Sequence, residues 1–121
     1  MRKEWIGIGV SLALAAVIFT INIGGYDVWP PDEPRYALVA REMMDSGDYL
    51  LPRVNDQPYK EKTPLLFWCI AACSSFKGEV TPTSARVPSV LSGLAVLIFT
   101  ALLARDLFNA RITLWSVMIL M

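Results

Sequence analysis

Two short clusters in this chain could carry chemistry. The first is DEPRY, Asp32 to Tyr36, and the second is YKEK, Tyr59 to Lys62. The chain has no histidine, which removes the commonest general base and metal ligand. Acid–base or metal work must therefore fall to Asp, Glu, Lys or Tyr. Asp32 and Glu33 are adjacent carboxylates that could bind a divalent cation or accept a proton. The same pair also suits a helix start, with Asp32 as N-cap and Glu33 set favourably against the dipole. Arg35 offers a planar fork of donors that matches a phosphate, or it is a solvated cation beside an interfacial Tyr36. Lys60 and Lys62 bracket Glu61 just ahead of an apolar run. They read either as a cationic site for an anionic lipid head group or as a polar flank of interfacial lysines.

The elements that must position these groups are largely apolar. Of 121 residues, 55% are hydrophobic, which suits a membrane protein better than a soluble domain. The 11 basic and 11 acidic residues balance, so net charge implies no partner, and no nucleic acid is expected. Residues 5–23 carry no charge and only one strongly polar side chain, Asn22. Roughly 20 such residues span a bilayer as a helix. A signal peptide is the alternative, which would make the chain a soluble secreted protein. The apolar part is long for that role, and NIGGYD is a poor cleavage site. Residues 87–104 form a second candidate span between Arg86 and Arg105, with Pro88 in its first turn. A third apolar run occupies residues 112–121; it is too short to cross, and a helix stopping in mid-membrane leaves backbone groups unsatisfied. The chain is thus expected to be the N-terminal piece of a longer protein. Arg2 and Lys3, with Arg105 and Arg111, put the N-terminus in the cytoplasm and the long segment 24–86 outside.

That outer segment has its own order. Residues 33–46 show helical periodicity, with Tyr36, Val39, Ala40 and Met43 on one face and Gly47 as a natural C-cap. Residues 63–76 make a second apolar helix opening on Thr63-Pro64. It is short for a span, so an interfacial or re-entrant helix is expected, with Trp68 at the interface. Cys69 and Cys73, four apart, match neither a redox nor a zinc spacing and read as small packing residues.

The stretch DEPRYALVAREMMDSGDYLLPRVNDQPYKEKTPLLFW closely resembles the first outer loop of the bacterial glycosyltransferase 39 family. This family includes the lipid A aminoarabinose transferases and, more distantly, the protein O-mannosyltransferases. The pattern runs D-E-x-R-Y-A, A-R-E-M, S-G-D, P-R-x-N-G and Y-x-E-K-P-P-L, and ARVPSVLSGL with LLARDLF matches the span that follows. The resemblance covers about Asp27 to Phe108. It implies an all-α, polytopic membrane protein of the GT-C type in the bacterial inner membrane, with a periplasmic first loop. It implies a polyprenyl-phosphate sugar donor and an acceptor that is lipid A, protein or glycan. A divalent metal is possible. Residue by residue, it makes Asp32 the catalytic-region acid, with Glu33 completing the acidic pair. Arg35 and Lys62 take the positions that hold the lipid phosphate, Tyr36 and Tyr59 line the site, and Glu61 is linked to metal.

Two departures stand out. Asn55-Asp56 replaces Asn-Gly, which opens that turn to a different type. Lys62-Thr63-Pro64 replaces Lys-Pro-Pro, sparing the lysine but altering the helix start. The family's later outer loops, with a second acidic site residue, are not in this chain, so it is not expected to be a competent catalyst alone. The alternative is a short membrane-anchored binding or assembly protein, or a truncated remnant.

Overall fold

The computed structural model describes the backbone from residue 2 to residue 121 and side chains from residue 5 onward; the flanking charges Arg2 and Lys3 lie outside the described side chains. In chain order the elements are α1 (Arg2–Thr20), α2 (Asp32–Ser46), β1 (Arg53–Val54), β2 (Gln57–Pro58), α3 (Leu65–Ser75), α4 (Pro82–Leu107) and α5 (Ala110–Leu120). They divide into two compact units, Asn22–Pro88 and the remainder.

The unit made by α1, most of α4 and α5 packs around Ile8, Ala15, Leu97, Ala101 and Val117. Gly93 lets α4 approach α1: a Cβ there would sit 3.1 Å from Phe19 Cε2. The outward faces stay apolar; Val10, Phe99, Leu103 and Ile119 are all exposed. A helix that is apolar all round has nothing to gain from water. Among the described residues, α4 is the helix long and apolar enough to cross a bilayer. The first apolar run stops at Thr20, earlier than residue 23, because Asn22 takes a left-handed φ of 57° and Gly24-Gly25 follow. Ser11 Oγ and Thr20 Oγ1 in α1 donate to the helix's own carbonyls, of Gly7 and Ala16.

α4 starts five residues before the expected 87. The reason is a capping box. Thr81 Oγ1 accepts from the Ser84 N–H at 3.2 Å, Ser84 Oγ accepts from the Thr81 N–H at 2.9 Å, and Pro82 opens the helix. Pro88 consequently lies inside the helix, not in its first turn. α5 is capped by Asn109, whose side chain accepts from the Ile112 N–H.

In the unit Asn22–Pro88, α2 buries Val39, Ala40 and Met43, the face its periodicity marks. It ends on Gly47, whose φ of 70° is left-handed and whose N–H returns to Met43 O. Ser46 Oγ accepts from the Asp48 N–H, and Asp48 Oδ1 accepts from Leu50 and Leu51. The S-G-D motif is thereby a helix stop with a local turn. β1 and β2 pair antiparallel, Val54 opposite Gln57. Asn55 and Asp56 both have positive φ, 52° and 61°. Those are the demands of a type I′ hairpin, so the turn keeps the type that Asn-Gly would form. α3 buries Phe67, Ile70, Ala71 and Ser74, with Phe67 and Ile70 packed against α2. It begins at Leu65, with Pro64 ahead of it and no side-chain cap, so Thr63 does not cap it. Cys69 is exposed and Cys73 half-buried, which corrects the packing assignment for Cys69.

Candidate functional site

Two segments of this unit meet: the first turn of α2 and the strand exit at residues 59–62. Arg35 Nη1 lies 3.4 Å from Glu61 Oε2, and the Tyr59 hydroxyl donates to the same oxygen at 3.2 Å. The Tyr59 hydroxyl, against a smaller desolvation cost and with Glu61 and Asp32 behind it, makes Arg35 hold its proton more firmly than usual. Arg35 and Glu61 are both open to solvent.

Beneath this cluster lies Phe67, fully buried. Tyr36 packs on it with ring centroids 6.0 Å apart, and Tyr59 meets it edge-on at 5.8 Å. The two tyrosines therefore rest on a common base, with Val39 and Met43 completing the layer. The strand exit is held from three directions. The Tyr59 N–H donates to Pro52 O at 2.8 Å, and the hairpin pairs Arg53 with Pro58. Glu42 Oε1 accepts from the Asn55 N–H at 2.7 Å, tying the hairpin tip to α2. Glu42 Oε2 is buried without a partner among the described residues.

Asp32 is the first residue of α2, not its cap. Pro31 occupies the cap position, in helical conformation and with no side chain to donate or accept. Asp32 is exposed and one helical turn from Tyr36. Glu33 points to other partners. Its Oε2 accepts from the Trp29 N–H at 2.7 Å and from Arg86 Nη2 at 2.8 Å, and its Oε1 from Arg86 Nε at 3.2 Å. The Arg86 fork holds the Glu33 carboxyl below the usual carboxylate range, against partial desolvation, with the Trp29 N–H assisting. The two neighbouring carboxylates are thus divided, one free and one committed.

Lys62 and Lys60 are exposed and have no ion-pair partner among the described residues. Arg35, Tyr36, Tyr59 and Glu61 are brought together; Lys62 follows directly in the chain, and Glu33 is turned to Arg86. Among the described residues no three ligating side chains gather as a metal site would need. Glu61 could supply one ligand, and the set present does not complete such a site.

Sequence reasoning missed Arg86, Glu42 and Phe67. Arg86 reads as a flanking charge of a span, yet its side chain is only 11% exposed and reaches residues some 60 positions earlier. Arg41, from the A-R-E motif, donates to Val80 O at 3.3 Å. It stands at the rim of an apolar groove of about 360 Å³ lined by Val28, Leu38 and Pro82, which holds none of the site residues.

The chain is similar to proteins of known assignment over nearly its whole length. It is 35% identical over 112 residues to the undecaprenyl phosphate-alpha-4-amino-4-deoxy-L-arabinose arabinosyl transferase of Shewanella sediminis, covering 92% of this chain and 20% of that protein. It is 34% identical over 110 residues to transferase 2 of the same description from Pseudomonas fluorescens, covering 90% and 20%. The crystal structure of ArnT from Cupriavidus metallidurans in the apo state superposes with a TM-score of 0.79 at 31% identity, over 93% of this chain and 20% of that one. No family model matches the chain. The chain spans about a fifth of the length of the curated relatives it matches. By sequence and by backbone the chain is a mostly helical counterpart of one segment of the undecaprenyl phosphate-aminoarabinose arabinosyl transferases.

Proposed function

We propose that the chain is part of a membrane glycosyltransferase that moves a sugar from a polyprenyl-phosphate donor to an acceptor on the periplasmic face. The acceptor is lipid A, protein or glycan, the three that the family resemblance implies. The observation that carries the reading is the meeting of Arg35, Tyr59 and Glu61 over Phe67, in a chain 35% identical to an arabinosyl transferase over 112 residues. In this arrangement Asp32 helps to activate the acceptor by taking its proton. The deprotonated acceptor oxygen bonds to the sugar's anomeric carbon as the bond from that carbon to the phosphate oxygen breaks, and that bond's electron pair leaves with the phosphate. Arg35 and Lys62 balance that charge as it develops, the kind of contribution that is usually the largest in catalysis. The Arg35–Glu61 pair is solvent-open and long, so an incoming phosphate has little to displace.

Tyr36 and Tyr59 line the approach. Glu61 is the acid through which a divalent metal would enter, with further ligands from outside the described residues; no step here runs through one. The inner membrane is the proposed location, with the N-terminus cytoplasmic and the loop of residues 24–86 periplasmic. The exposed outer face of α3, with Leu65 and Trp68 on it and Phe76 at its C-cap, suits the lipid interface.

The test is Lys62→Ala in the full-length transferase at subsaturating donor. Transfer should fall sharply. Unchanged turnover would count against the reading and favour a membrane-anchored binding module.

A further inference from the structure

We infer that Arg86 is a positioning residue for the transfer site, setting the direction of Asp32 and Arg35 by clamping Glu33 and the segment that leads into α2. The inference rests on the reading of the site given above. Its basis is a complete use of one guanidinium. An arginine has five N–H donors in a fixed fork. Arg86 Nε donates to Glu33 Oε1; Nη1 donates to Ile23 O at 2.8 Å and Tyr26 O at 3.1 Å; Nη2 donates to Asp27 O at 3.0 Å and Glu33 Oε2. The guanidinium also lies 4.3 Å from the centroid of the Tyr26 ring. Every one of these partners falls between residues 23 and 33, and that stretch ends in the first turn of α2.

The first turn of α2 needs such a clamp. Its cap position is Pro31 and makes no side-chain bond. The usual device that fixes how a chain enters a helix is therefore missing. Glu33 replaces it by reaching back to the Trp29 N–H, and Arg86 holds Glu33 in that pose. Asp32 precedes Glu33 and Arg35 follows two residues later, so both inherit the direction that the clamp imposes. Lys62 sits on a separate segment beyond β2, so loss of the clamp leaves one phosphate contact in place. Arg86 itself touches no reacting atom in this scheme.

A site displaced by about 1 Å can lose on the order of 100-fold in rate. In the full-length transferase, Arg86→Gln should lower kcat by about 10- to 100-fold, while the donor KM moves less than it does in Lys62→Ala. Arg86→Lys should recover only part of the rate, because an ammonium has three donors and no planar fork. Glu33→Gln should share the defect, and the double variant Glu33→Gln/Arg86→Gln should be no worse than Arg86→Gln alone. A second readout is independent of transfer: the Trp29 amide should exchange faster with solvent in Arg86→Gln. Unchanged exchange there overturns the clamp. Faster exchange with wild-type kcat, in a background where Asp32→Asn is inactive, overturns the positioning role. Full activity of Arg86→Lys overturns it too. Full activity of both Asp32→Asn and Lys62→Ala would instead overturn the site reading on which the inference stands, whatever the Trp29 amide does.

Discussion

Phe67 gives the sharpest test of how the site is supported. The perturbation is Phe67→Ala, with Phe76→Ala as its partner experiment. Both residues are phenylalanines of the same apolar stretch, yet Phe67 is 0% exposed and Phe76 is 94% exposed. Removing a buried phenylalanine costs about 3–5 kcal/mol in lost transfer energy and residual cavity. Part of that is specific here, since Tyr36 and Tyr59 each lose a ring contact of about 0.5–1.5 kcal/mol. Phe76 makes no such contacts within its unit, and its removal should stay within about 0.5 kcal/mol. Against a typical stability of about 5–15 kcal/mol, the first loss is large and the second nearly invisible. The measurement is denaturant unfolding of the chain in detergent, followed by amide exchange in α2 and α3. The functional half is transfer by the full-length protein, where Phe67→Ala should lose about 100-fold because the Tyr59 hydroxyl leaves Glu61. The reasoning is refuted if the two variants cost the same, or if Phe67→Ala destabilises and transfer is untouched.

Two further outcomes are expected. Glu33 has its carboxyl pKa lowered on folding, so its contribution is fully present above the unfolded value of 4.5 and is lost as pH falls through the lower folded value; denaturation midpoints should drop in that acid window, and Glu33→Gln should flatten the drop. Asp56 holds a left-handed φ of 61° at the hairpin tip. Asp56→Gly should therefore leave the turn intact and shift stability by about 0.5–1 kcal/mol in the favourable direction, read by the same unfolding experiment; a destabilisation would mean that the Asp56 side chain does more than occupy the turn.

What could be read from the chain beforehand followed locality. The buried face of α2 and its glycine stop are written in residues within a few positions of one another, and the structure has them where periodicity puts them. The start of α4 was also legible, because Thr81, Pro82 and Ser84 spell a capping box. A search for apolar runs passes over it, since capping residues are polar. Asp32 shows the opposite failure. Its residue type suits a cap, but the helical ψ of −17° at Pro31 moves the cap one position back, and that dihedral, unlike a proline's φ, is not set by residue type. The bonds of Arg86 to residues 23–33, and of Glu42 to Asn55, join positions far apart in the chain. No local pattern announces them. The family resemblance named Arg35, Tyr59 and Glu61 as site residues, but their convergence, which neither charge nor spacing could establish, comes from the structure.

The hydroxyls at the start of α4 act as a clock setting. Ser84 Oγ lies 2.8 Å from Ser74 Oγ on α3 while also bonding the Thr81 N–H, so the rotational phase of residues 82–88 is fixed by α3 within their own unit. Each residue of an α-helix advances that phase by about 100°. Arg86 stands two residues further on. A single residue inserted between Ser84 and Arg86 would leave the cap and the tie to α3 intact, and would swing the guanidinium about 100° away from all of its partners at once. The spacing of Ser84 and Arg86 is therefore as much a part of the site's specification as the identity of either residue.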